Sequence, residues 1–327
     1  MARAARFPVS DHCDGRRFFN PPHYQSTDKS PRDLLRFWSH RGWEPWPERV
    51  EDPPQPVPAP PEPGALAVTH VGHATFLVQV AGLSLLTDPV FSEHAGPFGR
   101  LGPKRARAPG VPLEQLPDPN LVLVSHGHYD HLDRPSLAAL ARRFGPRAMV
   151  GLGNGPLLNG DGFARVDELD WWQAVPGPGG CRVTFVPAQH WSARAPFRRN
   201  TTLWGGFVVE TDAGTLYFAG DTGYGPHFRE IGARFPRIDV ALLPIGAYEP
   251  RWFMAPQHMN PAEAVAAHED LGARSSVAMH FGTFRLTPEA IDAPVRALAA
   301  ALDRRGIAPE RFVVPAFGET HVFHSSP

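Results

Sequence analysis

The stretch LVLVSHGHYDHLD, residues 121–133, is the part of the sequence that decides the fold. Its apolar run of four residues predicts a buried strand, because such runs are typical of strands that are covered on both faces. His126 and His128 alternate along the extended segment after that strand, so their side chains point to the same side. Asp130 and His131 follow in the next turn. The sequence therefore predicts metal ligands at the end of a strand, with neighbouring side chains that can face two different ions.

Three later strand ends each carry one further donor. His190 ends PAQH, Asp221 follows an apolar run in FAGDTG, and His280 follows another in VAMHFG. Joined to the first cluster, they suit two metal ions that share one carboxylate and leave positions for water and substrate. Asp130 and Asp221 are also the predicted catalytic carboxylates. The complete predicted ligand set is His126, His128, Asp130, His131, His190, Asp221 and His280.

The donor types of this set restrict the choice of metal. Imidazole nitrogen and carboxylate oxygen suit zinc, iron and manganese. We expect two divalent ions, with zinc as the first choice and iron or manganese as alternatives. Two such ions lower the pKa of a shared water towards neutrality, which predicts a metal-bridging hydroxide as the nucleophile.

Two polar residues outside the ligand set have the character of orienting partners. They are His73 in GHATF and Asp88 in TDP. Metal-bound imidazoles usually donate their second N–H group to a carboxylate or a carbonyl, so such partners are expected close to the ligands. A structural hydrogen bond at a strand turn is the alternative for His73.

Composition excludes several classes of protein. The chain has 327 residues, of which 42% are hydrophobic and 20% charged, and its formal net charge is -1. This balance gives no general attraction to nucleic acid, and no stretch approaches the roughly 20 apolar residues of a membrane helix. Cys13 and Cys181 are far apart and form no CxxC pair, and the start of the chain lacks an apolar secretory segment. A reduced, cytoplasmic setting is expected, with peripheral membrane association as the alternative.

The sequence divides into two regions of different character. Residues 1–64 predict an irregular arm, because FFNPP and DPPQPVPAPPEPG are rich in proline and favour extended backbone. Ser30 and Pro31 are typical of a helix start, with serine as the cap and proline at the first helical position. We expect the arm to pack on the catalytic domain, which is predicted over residues 65–327. Membrane contact or homodimer formation is the alternative role of the arm.

The predicted catalytic domain alternates strands and helices. Short β-branched runs separated by glycine turns predict strands, and four amphipathic stretches predict helices. The predicted helical stretches are PSLAALARRFG, HFREIGARF, NPAEAVAAHEDLG and TPEAIDAPVRALAAALDRRG. This order indicates an α/β fold that is compatible with two packed sheets.

The motif HxHxDH with a downstream His, Asp and His resembles the metallo-β-lactamase superfamily. The resemblance implies a four-layer αββα sandwich with two metals at the sheet edges. It places His126, His128 and His190 on the first metal. It places Asp130, His131 and His280 on the second metal, with Asp221 as the bridge. Antibiotic-destroying members commonly have cysteine where Asp221 stands, and diiron oxygen-reducing members have glutamate where His128 stands, so the resemblance implies hydrolysis rather than redox chemistry.

A longer resemblance covers most of residues 65–320. VGHATFLVQ, QHW, FAGDTGY and IGAYEPRWFM are similar to motifs of the N-acyl-phosphatidylethanolamine phospholipase D group. The resemblance implies hydrolysis of a phospholipid or similar phosphodiester, giving phosphatidic acid and an N-acylethanolamine. It also implies substrate contacts from Tyr129 and His258. A packing role for Tyr129 and a helix-start cap for His258 remain the alternatives.

Two rival functions stay open at the level of sequence. A lactonase or a sugar-phosphate hydrolase would use the same metal platform, and relatives of that kind share the GHATF-like opening. A lipid- or metal-binding protein without turnover is the second rival. The intact ligand set favours catalysis over the second rival, because a binding module has no need of an activated water with open coordination positions.

Overall fold

The computed structural model describes residues 6–40, 42–80, 82–195 and 198–324. Its strands follow in chain order as β1 Val9–Ser10, β2 Cys13–Asp14, β3 Ala65–Gly72, β4 Thr75–Val80, β5 Leu83–Thr87, β6 Leu121–Val124, β7 Arg147–Gly151, β8 Arg165–Leu169, β9 Ala174–Pro176, β10 Arg182–Val186, β11 Gly206–Thr211, β12 Gly214–Phe218, β13 Val240–Pro244, β14 Ser275–Met279, β15 Phe312–Val313 and β16 Thr320–His324. The strands β1, β2, β8, β9, β15 and β16 are additions to what the sequence predicted.

The helices agree with the predicted stretches except at one start and for one short addition, Arg251–Met254. They are α1 Pro31–Trp38, α2 Arg134–Phe144, α3 His227–Arg234, α4 Arg251–Met254, α5 Pro261–Leu271 and α6 Ala293–Arg305. Ser30 caps α1 and Pro31 begins it, as predicted. The helix predicted from Thr287 begins only at Ala293, because the residues from 287 to 292 form turns before Asp292 takes the cap position. Proline then occupies the second helical position.

Two seven-stranded mixed sheets form the body of the protein. The first sheet has the order β16-β3-β4-β5-β6-β7-β8, and the second has the order β15-β14-β13-β12-β11-β10-β9. Strands β5 to β8 are parallel in the first sheet, and β12 to β15 are parallel in the second. The remaining pairs within the two sheets are antiparallel.

Strand β6 shows how the layers stack. Leu121 and Leu123 belong to the core between the two sheets, which also contains residues of β10 to β14. Val122 and Val124 face the opposite side, where they join Leu137 and other residues of α2 in a second apolar cluster. The apolar run is therefore buried on both faces, as expected for a central parallel strand. With α5 packed against β13 on the far side, the predicted four-layer αββα sandwich is confirmed.

The amino-terminal segment contacts the sandwich along its length. Cys13 and Phe18 belong to the core between the sheets, and Phe37 of α1 stacks on Phe253 with ring centroids 4.5 Å apart. Leu35 and Trp38 of α1 stay 72% and 74% exposed. The division into an arm and a catalytic domain stays a prediction, and residues 1–5 and 41 of the arm lie outside the described residues.

No helix within the described ranges combines the length and the apolar character that crossing a lipid bilayer requires.

Candidate metal centre

Three histidine rings meet where β6 and β10 end. The Nε2 atom of His126 lies 2.8 Å from Nδ1 of His128, and Nε2 of His190 lies 3.3 Å from that same Nδ1. His126 and His190 are each 1% exposed. Ring nitrogens that point at one another in a buried space suit a shared cation, because each neutral imidazole can then offer its lone pair. The first predicted group of ligands therefore converges.

A second group lies beside the first. The carboxylate oxygen Oδ2 of Asp130 is 3.5 Å from Nε2 of His131 and 3.5 Å from Nε2 of His280. The same oxygen is 3.2 Å from Nε2 of His73, so His73 joins this group. These four residues offer donor atoms within 4.8 Å of one another. The second predicted group of ligands therefore converges too.

Asp221 lies between the two groups. Its Oδ2 atom is 3.0 Å from Nε2 of His131 and 3.9 Å from Nε2 of both His126 and His190. Its Oδ1 atom is 3.2 Å from Nε2 of His280. One carboxylate thus reaches donors of both groups, and the structure brings all seven predicted residues together.

The chemistry of this cluster fits metal binding. The buried Asp221 Oδ1 and His280 Nε2 have no hydrogen-bond partner among the described residues, despite their short separation. Buried polar atoms without partners are costly unless something else satisfies them. Nitrogen and carboxylate oxygen donors are the types that first-row divalent ions accept. The residues present therefore fit one or more divalent cations.

Burial keeps most of the histidines neutral. Desolvation lowers the pKa of His126 and His190 well below the usual value, and nearby histidines lower it further. Desolvation also lowers the pKa of His128 and of His258 to about 4. Neutral imidazole is the form that binds a metal ion. These rings are consequently ready to act as ligands at neutral pH.

His131 and His280 behave differently because they face the carboxylates. Burial disfavours the charged form of His280, but Asp221 and Asp130 outweigh it and raise its pKa to about 9. The same two carboxylates raise the pKa of His131. Burial raises the pKa of Asp221 and of Asp130, but the charge of His131 outweighs this effect. The pKa of both carboxylates therefore lies well below the usual value. A cation between these groups would therefore replace protons.

Hydrogen bonds fix the orientation of two rings. Asp88 accepts from Nδ1 of His131 at 2.6 Å and also accepts the backbone N–H of Ser125 at 2.7 Å. Nδ1 of His190 lies 2.9 Å from the carbonyl oxygen of Gln257, which can only accept. Contacts of this kind set which ring nitrogen is free to bind a metal. Asp88 thus occupies the place expected of an orienting partner.

Backbone strain is concentrated at the same place. His73, Asp88 and His280 have φ angles of 56°, 32° and 60°, a region that residues with a side chain rarely adopt. The N–H of His280 donates to the carbonyl of His73 at 2.9 Å, so two of these residues hold each other. Such conformations cost roughly 1–3 kcal/mol each and cluster at functional sites. No sequence pattern indicated this strain.

The two predicted substrate contacts have different neighbours. His258 is 7% exposed, and its Nε2 is 4.0 Å from Oδ2 of Asp221. The hydroxyl of Tyr129 donates to the carbonyl of Arg194 at 2.8 Å, and the Arg194 guanidinium covers the Tyr129 ring at 4.3 Å. Both residues border the candidate ligands, and their contact with a substrate stays a prediction.

Sequence reasoning missed Arg194, which braces the loop of the first cluster. Its Nη1 atom donates to the carbonyl of Leu132 at 2.7 Å and to the carbonyl of Gly127 at 3.1 Å. It missed the Gln257 carbonyl as well, because a backbone acceptor has no side-chain signature. The only sequence signal for Arg194 is its position four residues after His190.

Comparison with known proteins gives relatives over about three quarters of the chain. An uncharacterized protein of Mycobacterium tuberculosis is 42% identical over 243 residues, which is 73% of this chain and 64% of that protein. This chain therefore spans less than two thirds of that relative's length. The N-acyl-phosphatidylethanolamine-hydrolyzing phospholipase D 1 of Caenorhabditis elegans is 37% identical over 266 residues, covering 78% of this chain and 75% of that protein.

Solved structures agree on the fold. The isothiocyanate hydrolase from Delia radicum gut bacteria superposes with a TM-score of 0.63 and 22% identity, covering 79% of this chain and 100% of that chain. The family described as Beta-lactamase superfamily domain matches residues 84–281 of this chain. That range contains every candidate ligand from His126 to His280. With the sandwich and the clustered donors, this match shows that the chain belongs to the β-lactamase superfamily.

Proposed function

We propose that this protein is a metal-dependent hydrolase with two divalent ions, zinc being the first choice. His126, His128 and His190 would hold one ion. Asp130, His131 and His280 would hold the other, and Asp221 would contact both. The position of Asp221 carries the proposal, because its two oxygens lie 3.0 Å from His131 and 3.2 Å from His280 while also facing the first group.

The residues of the centre divide the work of hydrolysis. Bound divalent ions supply an acidified water and neutralise charge on a phosphate group. Asp221 and Asp130 hold the negative charge that keeps such ions in place, and Asp88 fixes the ring of His131 at 2.6 Å. His258, which is buried and 4.0 Å from Asp221, borders the space next to both groups. We assign His258 and Tyr129 to contacts with the substrate.

The proposed reaction is hydrolysis of a phosphodiester of the phospholipase D type. The oxygen of water bonds to phosphorus, the bond from phosphorus to the N-acylethanolamine oxygen breaks, and that oxygen takes up a proton. The products are phosphatidic acid and an N-acylethanolamine. The support is the 37% identity to a Caenorhabditis elegans protein whose name describes this activity, over 78% of this chain.

We also propose a cytoplasmic location with peripheral contact to phospholipid. Leu35 and Trp38 support the contact with phospholipid, because they expose apolar surface on α1. A homodimer that covers this surface is the competing arrangement, and the oligomeric state in solution would separate the two.

A substrate panel tests the reaction. Purified zinc-loaded protein is incubated with vesicles that contain N-acyl-phosphatidylethanolamine, and separately with lactones and sugar phosphates. We expect equal amounts of phosphatidic acid and N-acylethanolamine by mass spectrometry, and no lactone opening. Lactone or sugar-phosphate turnover without lipid cleavage would support the first rival function. Bound zinc without any turnover would support a binding protein.

A further inference from the structure

The segment IGAYEPRWFM, residues 245–254, contains an arginine to which the proposed hydrolysis assigns no role. The Nη1 atom of Arg251 donates to the carbonyl of His258 at 2.9 Å and to the carbonyl of Tyr248 at 3.2 Å. Its Nη2 atom donates to Oε2 of Glu263 at 2.7 Å. One half-buried guanidinium therefore joins three separate parts of the chain.

Glu263 connects this arginine to the start of α5. The same Oε2 atom accepts the backbone N–H of Asn260 at 2.9 Å, while Oδ1 of Asn260 accepts the N–H of Glu263 at 2.8 Å. This reciprocal pair is a capping box, which fixes the first turn of a helix. Arg251 is thus anchored on a rigid element.

The peptides on either side of His258 are held by other contacts. The carbonyl of Gln257 accepts from the ring of His190 at 2.9 Å, and the N–H of Met259 donates to the carbonyl of Thr222 at 3.0 Å. The N–H of His258 donates to the carbonyl of Met254 at 2.9 Å. The carbonyl of His258 is the group that Arg251 holds, so Arg251 completes the fixation of this one residue.

The His258 ring needs such fixation. Its Nδ1 atom is buried and has no hydrogen-bond partner among the described residues. The orientation of the ring is therefore not set by a hydrogen bond at Nδ1. The ring lies between His190 and His280, with centroid distances of 5.2 Å and 5.3 Å. A small rotation of the His258 backbone would move the ring away from Asp221.

We infer, on the basis of the proposed function, that Arg251 is a positioning residue that places the His258 imidazole beside the metal centre for contact with the substrate phosphate. A planar guanidinium satisfies three acceptors at once, whereas the ammonium of lysine is a single point charge. The effect of Arg251 on turnover therefore passes through His258.

A double-mutant cycle tests this route. The assay measures cleavage of bis(para-nitrophenyl) phosphate by the zinc-loaded protein and by four zinc-loaded variants. The variants are Arg251→Gln, Arg251→Lys, His258→Ala and the double variant Arg251→Gln with His258→Ala. We expect Arg251→Gln to lower kcat by about 10- to 100-fold, the range of lost orienting partners, with bound zinc retained. Arg251→Lys should recover part of the loss. In the His258→Ala background, Arg251→Gln should lower kcat by less than about threefold, because the effects of residues that act as a unit are not additive.

A spectroscopic readout separates this inference from the proposed function. NMR spectra of zinc-loaded protein with isotope-labelled histidine identify the His258 ring signals by their loss in His258→Ala. Arg251→Gln and Arg251→Lys should shift these signals and leave those of other histidines in place. If the wild-type chain cleaves no phosphodiester but the His258 shift appears, the proposed function fails and the positioning role stands.

Two results would overturn the positioning role. One is an equal fold-loss from Arg251→Gln with and without His258, and the other is an unchanged His258 signal in both Arg251 variants. Arg229→Gln is the matched control. Arg229 also pairs with an acid of α5, Asp270 at 2.9 Å, but its side chain is 76% exposed. Its substitution should leave both kcat and the His258 signal unchanged.

Discussion

The two sheets supply the candidate metal centre in different ways. The first sheet places four donors in one loop directly after β6, from His126 to His131. The second sheet places single donors after three different strands, with His190 after β10, Asp221 after β12 and His280 after β14. One half of the site is therefore local in sequence, and the other half is assembled by the fold.

The supports of the two halves differ accordingly. The loop of the first sheet is braced partly within itself, because the N–H of Leu132 donates to the carbonyl of His128 at 2.8 Å, while Arg194 from the segment after β10 holds two of its carbonyls. The single donors rely on distant partners, such as the Gln257 carbonyl on the ring of His190. Bonds within one short loop help to hold the local donors, whereas the dispersed donors depend on tertiary contacts. Removing supports on each side should reveal this difference.

Asp221→Asn should produce the largest effect, because Asp221 is the one dispersed donor that faces both groups. The amide loses the negative charge that balances His131 and His280. We expect turnover to fall by more than the roughly 100-fold that a lost orienting partner costs, and zinc content to fall as well. Phosphodiester turnover and metal analysis measure both. Asp212→Asn, on the exposed turn after β11, is the matched control and should behave as wild type.

Asp88→Asn should have the second-largest effect, and it tests the donors in the loop after β6. Asp88 holds the His131 ring at 2.6 Å and the N–H of Ser125 at 2.7 Å, so its loss frees the loop at two points. We expect zinc affinity to fall by about 10- to 100-fold in a competition titration. Asp133→Asn is the matched control, because Asp133 is also a buried carboxylate but accepts from the hydroxyl of Ser136. Its zinc affinity should fall less than that of Asp88→Asn. Equal losses in both variants would contradict a specific role for Asp88.

Asn20→Ala should have a smaller effect on the dispersed half. The Asn20 side chain donates to the carbonyl of His190 at 2.9 Å from outside the sheets. Losing one such bond costs roughly 0.5–1.5 kcal/mol, or about two- to tenfold in zinc affinity. Gln25→Ala is the control, because Gln25 contacts Gln189 through its backbone N–H. Zinc affinity that is unchanged in Asn20→Ala would show that the arm does not support His190.

His70→Phe should leave turnover nearly unchanged and alter only the response of stability to pH. Burial lowers the pKa of His70 to about 4, and its ring stacks on Phe76 and Phe281. The folded state therefore favours the neutral His70 ring. The contribution of this ring to the free energy of unfolding is fully present above about pH 6.5. It is lost as pH falls towards 4, at about 1.4 kcal/mol per pH unit.

Urea unfolding of metal-free protein between about pH 7 and pH 5 measures this loss. The free energy of unfolding of His70→Phe should depend less on pH than that of wild type. His23→Phe, which changes an exposed histidine of the arm, should keep the wild-type dependence. Parallel pH profiles for wild type and His70→Phe would refute the assignment.

Periodicity predicted the α/β character and the seven donors at the strand ends, and the resemblance to the metallo-β-lactamase superfamily implied the four-layer sandwich. The run LVLV predicts a doubly buried strand, and polar residues that end apolar runs predict side chains at one edge of a sheet. The start of α6 was misplaced since a turn and a helix share the composition of residues 287–292. The edge strands β8 and β9 were missed because each has few fully buried residues to produce a pattern.

The supports of the site could not be predicted in the same way. Asp88 was expected as an orienting partner from its polar character after a strand. Arg194 and Arg251 were not, because most of their acceptors are backbone carbonyls, which every residue carries. The left-handed backbone of His73 and His280 was equally hidden, since only the surrounding packing imposes it.

The contacts of residues 7–64 bear on whether residues 65–327 can be used as a separate unit. Proline content marks a border near residue 64, yet Phe18 fills the apolar interior and Asn20 reaches the backbone of His190. We therefore expect a truncated chain beginning at residue 65 to be a poor unit for engineering or domain transplantation, since it would lack part of its own packing. Fusion partners are better attached before residue 6, where the described residues and their contacts begin.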